Sequence, residues 1–221
     1  MDINFPTLLI LSASFLGLFF ISELLYHRFK VDGEVTRKIS HVGTGLIILV
    51  FPFVLQVHWE ALILCVAFIL LLLLSMKFDF FQGINKVKRK TYGSLLYPIA
   101  VYVVFRFYLL SEELISFYIP VLLLALSDPL AALVGRRWPI RQYSIRGDVK
   151  SVMGAIVFFL SAFLISSLLM MSLTDLPPAD VLSASVFLAL LTAAVEAVSG
   201  RGVDNLTIPL AAMLVLWASG I

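Results

Sequence analysis

Two acidic residues sit where an acid is costly, and a third joins them. Glu23, Asp128 and Glu196 each lie inside a long apolar run. A carboxylate at the centre of a membrane helix costs about 2.5–3.5 kcal/mol on insertion scales. Each lies near one end of its run, about 6–10 Å inside at the helical rise. Three different segments thus place a carboxylate in one thin layer. Glu23 reads equally well as half of a stabilising ion pair. Asp128 precedes Pro129, and proline lacks an N–H and disfavours helical geometry in the residue before it. A broken turn there would leave carbonyl oxygens beside a carboxylate, the hard donor set that Mg²⁺ takes.

Cations stand close to these acids in the chain. Arg37 and Lys38 precede His41, Gly135 precedes Arg136, and Lys150-Ser151 is followed by Gly154. Arg37, Lys38 and Lys150 suit phosphate binding. Lys86, Lys88, Arg89 and Lys90 form the kind of juxtamembrane cluster that meets anionic lipid headgroups. His41 is either a proton acceptor or a hydrogen-bonding residue at a helix start. Near the end of the chain, Asp204 or Asn205 can cap a helix.

These groups need rigid supports, and the composition says what kind. Of 221 residues, 61% are hydrophobic and only 14% charged, against about 25% charged in an ordinary soluble domain. The excess apolar surface needs lipid as its solvent. The reading is an all-α polytopic transmembrane bundle, a single domain over 1–221. Eight spans are expected, at 5–26, 40–57, 59–76, 93–110, 114–135, 151–172, 179–199 and 204–220, with seven as the alternative.

In the eight-span reading, all of the 16 basic residues except Arg106 fall in the linkers on one side. The positive-inside bias makes that side cytosolic and both termini external. The second, fourth, sixth and eighth spans then begin at the cytosolic face, where helix N-termini attract anions. Gly43, Gly45, Gly93 and Gly154 fall in their opening turns and would let a phosphate approach, or let helices pack closely. The lone Cys65 excludes a disulfide framework. No P-loop or protein-kinase signature is present, and His27, His41 and His58 form no zinc pattern. No nucleic-acid partner is expected. Membrane lipids are expected neighbours, and the reading is compatible with a homodimer.

Taken in order, Arg37-Lys38-x-x-His41, Ser127-Asp128-Pro129 with Gly135-Arg136, Lys150-Ser151-x-x-Gly154 and Glu196-x-x-Ser199-Gly200-x-Gly202-x-Asp204-Asn205 resemble the motifs of the polyprenol kinase family. That family includes dolichol kinase, phytol kinase and the CTP-dependent diacylglycerol kinase, and is distantly similar to CDP-diacylglycerol synthase. The resemblance runs from about 36 to 209. It implies transfer of the γ-phosphate of CTP, with Mg²⁺, to the hydroxyl of a phytol-like or polyprenol-like alcohol or of diacylglycerol. Arg37, Lys38, Asp128 and Gly135 match residues essential in the family.

On this reading Asp128, Asp204 and Glu196 are the expected metal ligands. Asp128, Glu196 or His41 is the expected proton acceptor. Arg37, Lys38, Gly135, Arg136, Lys150, Ser151, Gly154 and Asn205 are expected around the nucleotide. The site would face the cytosol, most readily from a bacterial inner membrane. The synthase alternative, a CTP:phosphatidate cytidylyltransferase, carries an Asp-Arg pair in its final motif. Here 200–205 reads Gly-Arg-Gly-Val-Asp-Asn, which favours the kinase. A membrane transporter, the second alternative, would more often hold its charges near the midplane.

Overall fold

The computed structural model describes residues 3–85 and 91–220. The basic cluster at Lys86, Lys88, Arg89 and Lys90 lies outside the described residues.

The first helix, α1 (Phe5–Arg28), is capped by the Asn4 side chain, which accepts from the Thr7 N–H, and carries proline in its opening turn. α2 (Gly33–Ile48) is capped by Asp32, which accepts from the Glu34 N–H, and runs into the single turn α3 (Phe51–Val54). α4 (His58–Phe78) follows. The buried Glu60 carboxylate accepts from the N–H groups of Gln56, Val57 and Asn4, tying the start of α4 to the start of α1. Then come the short α5 (Gln82–Asn85) and α6 (Gly93–Ser111).

The next span is interrupted: α7 (Leu114–Leu122), a π-helical turn at Leu123–Ser127, then α8 (Asp128–Arg137). A hairpin of β1 (Gln142–Ile145) and β2 (Asp148–Ser151) precedes α9 (Val152–Leu173), α10 (Pro178–Val198) and α11 (Asp204–Ala218).

Among the described residues, the regular elements are helices apart from that antiparallel hairpin, in which Ile145 pairs with Asp148. Among the described residues, seven helical stretches are long and apolar enough to cross a membrane, and α11 is a shorter apolar helix. The protein is a multi-pass membrane protein. Leu9, Phe20, Leu70, Leu164 and Leu214 point outward and are exposed, as residues facing acyl chains should be.

Two expectations change. The second span begins at Gly33, not 40, so Arg37 and Lys38 lie on the helix and not before it. Asp32 supplies the cap that starts the helix early. Asp128 is not in a broken turn: its φ and ψ of −63° and −49° are helical. The chain absorbs Pro129 by widening the preceding turn to a π-helix, a common device at functional sites. The four opening-turn glycines meet protein, in keeping with the close-packing reading of them: a Cβ on Gly45 would stand 2.2 Å from the Ala125 Cβ, and one on Gly154 3.0 Å from the Ala131 carbonyl oxygen. Gly135, near the end of α8, is as tight: a Cβ there would stand 2.7 Å from the Ser151 Oγ and 3.1 Å from the Gly154 Cα. These glycines let α2 press on the π turn and α8 on α9.

Candidate active site

Asp128 opens α8, Glu196 lies in the last turn of α10 and Asp204 opens α11. One carboxylate oxygen from each lies within 4.8 Å of the others, and Asp128 and Glu196 are buried. Such a cluster of like charges needs cations beside it, and two lysines supply them. The Lys38 Nζ donates to the Asp128 Oδ2 at 2.6 Å. The Lys150 Nζ donates to the Glu196 Oε1 at 2.6 Å, approaches the Asp204 Oδ2 at 3.5 Å and also meets the Glu196 carbonyl. Burial alone would lower the Lys150 pKa, but the Glu196 and Asp204 carboxylates outweigh it and hold the pKa above the ordinary lysine value.

Each support has a local cause. Ser151 caps α9, accepting from the Gly154 N–H at 3.1 Å and donating to the Gly135 carbonyl at 3.2 Å. That fixes Lys150, one residue earlier, at the helix entrance. The Asn205 Nδ2 donates to the Gly93 carbonyl at 2.7 Å, which locks the start of α11 to the start of α6. Between them runs Gly202, at φ +80°, where a Cβ would stand 2.3 Å from the Gly93 nitrogen. Only glycine meets both demands.

The twelve residues expected at the metal, at the nucleotide or as proton acceptor all line one cavity of about 510 Å³. The exception among the intramembrane acids is Glu23. It accepts from the N–H groups of Gln82 and Gly83 at 3.1 and 2.8 Å and contacts His27 at 2.8 Å. It therefore caps α5, away from the other acids.

No protein-family profile matches the chain, and no solved structure matches it. A curated relative does. A phytol kinase from Synechocystis sp. is 32% identical over 210 residues, covering 94% of this chain and 89% of the relative. The chain belongs to the polyprenol kinase family. It is a phosphotransferase with an alcohol acceptor, and its donor is a nucleotide.

The kinase's cavity has two unlike ends. The charged end holds the acids and lysines. The other is lined by Phe15, Phe19, Phe51, Leu64, Phe68 and Val101, contributed by α1, α3, α4 and α6. A hydroxyl on an apolar tail matches that division. The donor set also suits a hard divalent cation: three carboxylates converge, with oxygens of the type Mg²⁺ prefers.

Two residues that line the cavity escaped the sequence reading. Glu34 lines the cavity and lies 3.8 Å from the Arg37 Nε and 3.3 Å from an Arg136 terminal nitrogen, bringing two guanidinium groups together at its rim. Asp148 is buried and accepts from the Arg201 N–H at 2.7 Å, stapling the hairpin to the turn before α11. The available signal for the hairpin was Gly147, whose φ of +90° follows the +50° of Arg146, as a tight two-residue turn requires.

Proposed function

We propose that this kinase transfers the γ-phosphate of CTP to the terminal hydroxyl of a membrane isoprenoid alcohol of the phytol type, with Mg²⁺, at the cytosolic face. The observation that carries this reading is a two-ended cavity, in which a cluster of acids and lysines opens into an apolar arm between helices. The basic linkers favour the cytosolic assignment. The choice of CTP rests on the motif resemblance, and the phytol-like acceptor on the relative named a phytol kinase.

Phosphoryl transfer depends chiefly on positioning and charge neutralisation. The tail lies in the apolar arm and brings its hydroxyl to the acids. Arg37, Lys38, Arg136 and Lys150 hold the triphosphate. Asp128 or Glu196 takes the hydroxyl proton as the alcohol oxygen forms its bond to the γ-phosphorus. The bond from that phosphorus to the β–γ bridging oxygen breaks, and CDP leaves. Asp128, Glu196 and Asp204 would hold Mg²⁺, which when bound neutralises charge on the phosphates.

The test uses purified protein, Mg²⁺, each nucleoside triphosphate and a panel of lipid alcohols, with products read by mass spectrometry. CDP and a lipid monophosphate are expected. Pyrophosphate and a CDP-lipid made from phosphatidate would overturn the reading in favour of a cytidylyltransferase.

A further inference from the structure

The π turn before Asp128 leaves one backbone oxygen without a backbone donor. In a regular α-helix the Leu124 carbonyl would accept from the Asp128 N–H, but that N–H donates to Leu123 instead, five residues back. Continued π pairing would offer Leu124 the N–H of residue 129, and Pro129 has none. A buried carbonyl left without a donor has lost its water and gained nothing in exchange. His41 fills the gap: its Nε2 lies 2.8 Å from the Leu124 oxygen. Because a carbonyl only accepts, Nε2 carries the proton.

The imidazole is fixed from other directions. The Tyr97 ring meets it edge-on, with centroids 4.6 Å apart, and the Tyr97 hydroxyl donates to the His41 carbonyl at 3.4 Å. One turn further along α2, Gly45 meets Ala125 of the same π turn. One turn the other way, Lys38 reaches Asp128. So Lys38, His41 and Gly45, at i, i+3 and i+7 on one helix face, grip Asp128, Leu124 and Ala125 in turn.

We propose that His41 is a positioning residue: its Nε2–H replaces the backbone donor that Pro129 lacks, holds the π turn against α2 and so sets the height of Asp128 among the acids. This rests on the reading of Asp128 as a metal-holding group. It assigns His41 a task other than taking the substrate's proton.

Glutamine discriminates between the two tasks. Its amide nitrogen stands the same number of bonds from Cα as the histidine Nε2, so it can donate to Leu124, but it is no base. The asparagine amide stops one bond short. Wild type, His41→Gln, His41→Asn and His41→Ala are compared in detergent for melting temperature, Mn²⁺ affinity by electron paramagnetic resonance and turnover against pH. His41→Gln is expected to bind Mn²⁺ like wild type, to keep turnover within a few-fold and to leave the pH profile unshifted. His41→Asn and His41→Ala are expected to lose roughly tenfold or more in Mn²⁺ affinity and in kcat, as supporting residues around metal sites do.

A His41→Gln protein that melts and binds Mn²⁺ like wild type yet turns over no faster than His41→Ala would overturn the proposal. So would a His41→Ala protein with wild-type Mn²⁺ affinity and turnover. If wild type itself phosphorylates no alcohol, the proposed function fails, while the Mn²⁺ comparison still judges His41.

Discussion

Lys38 and Asp128 are 90 positions apart in the chain, yet their side chains meet at 2.6 Å with both groups buried. Each charge offsets the burial of the other. Lys38→Met strands the carboxylate and is expected to lower stability by about 3–5 kcal/mol. The double variant Lys38→Met, Asp128→Leu removes both charges and is expected to recover most of that loss. Thermal unfolding in detergent reads the difference. Turnover is expected to be absent in both proteins and in Asp128→Asn, which stays folded. Near-normal turnover by Asp128→Asn would remove Asp128 from the chemistry.

Lys150 makes a prediction about alkaline pH. Its folded-state pKa lies above the ordinary 10.5 because the acids around it outweigh burial. A group whose folded pKa is raised gives its full stabilisation below the unfolded value and loses it as pH rises through the folded one. Stability from the Lys150–Glu196–Asp204 cluster is therefore constant from neutral pH to about 10.5 and fades above it. Lys150→Met is expected to show a lower melting temperature at pH 7 and a flatter profile above pH 10.

The apolar arm sets a length scale. From Lys38 to Phe51 the chain rises about 20 Å, which sets Phe51 at the end of the cavity away from that lysine. Phe51→Ala is expected to raise turnover of longer alcohols relative to shorter ones. Cys65→Phe, filling the arm from its side, is expected to favour short alcohols by roughly tenfold or more. Competition between alcohols of graded length, read by mass spectrometry, measures both. Unchanged preference in both variants would place the tail elsewhere.

Gly202 is the most constrained glycine of the site. Alanine there meets both a φ of +80° and the Gly93 nitrogen at 2.3 Å. Gly202→Ala is expected to cost about 2 kcal/mol or more and to weaken nucleotide-induced thermal stabilisation, because α6 and α11 lose their mutual position. Gly17 offers the control: a Cβ there meets nothing within 4 Å, and Gly17→Ala is expected to be stable and active.

Much of this site was legible in the sequence because lipid makes charge conspicuous. Asp128 and Glu196 stood out in apolar runs, and Lys38 and Lys150 fell at the basic ends of neighbouring segments. The starts of α6 at Gly93 and α11 at Asp204 matched expectation. Glu34 and Asp148 did not stand out, because they lie among other polar residues where a charge is unremarkable. The start of α2 was missed because polar residues of its first turns broke the apolar pattern, although Asp32 was there to cap it. Pro129 announced a disturbance, but whether a helix breaks or widens depends on what can supply the missing donor. That donor, His41, comes from 83 positions away, beyond the reach of local pattern.

The brevity of α11 has a consequence for where the reaction happens. Its 15 residues rise about 22 Å, against about 30 Å of hydrocarbon. A helix that short starts beneath the membrane surface, thins the bilayer around it, or both. Irregular backbone at such depth survives only when other protein covers it or water reaches it. The turn from Ser199 to Val203 is covered by the hairpin, through Asp148, and by the α6 entrance, through Tyr92, whose N–H donates to the Arg201 carbonyl at 2.8 Å. On the proposed function, so short a helix would set the plane of phosphate transfer below the headgroups, at a depth that an alcohol reaches without lifting its tail out of the oil.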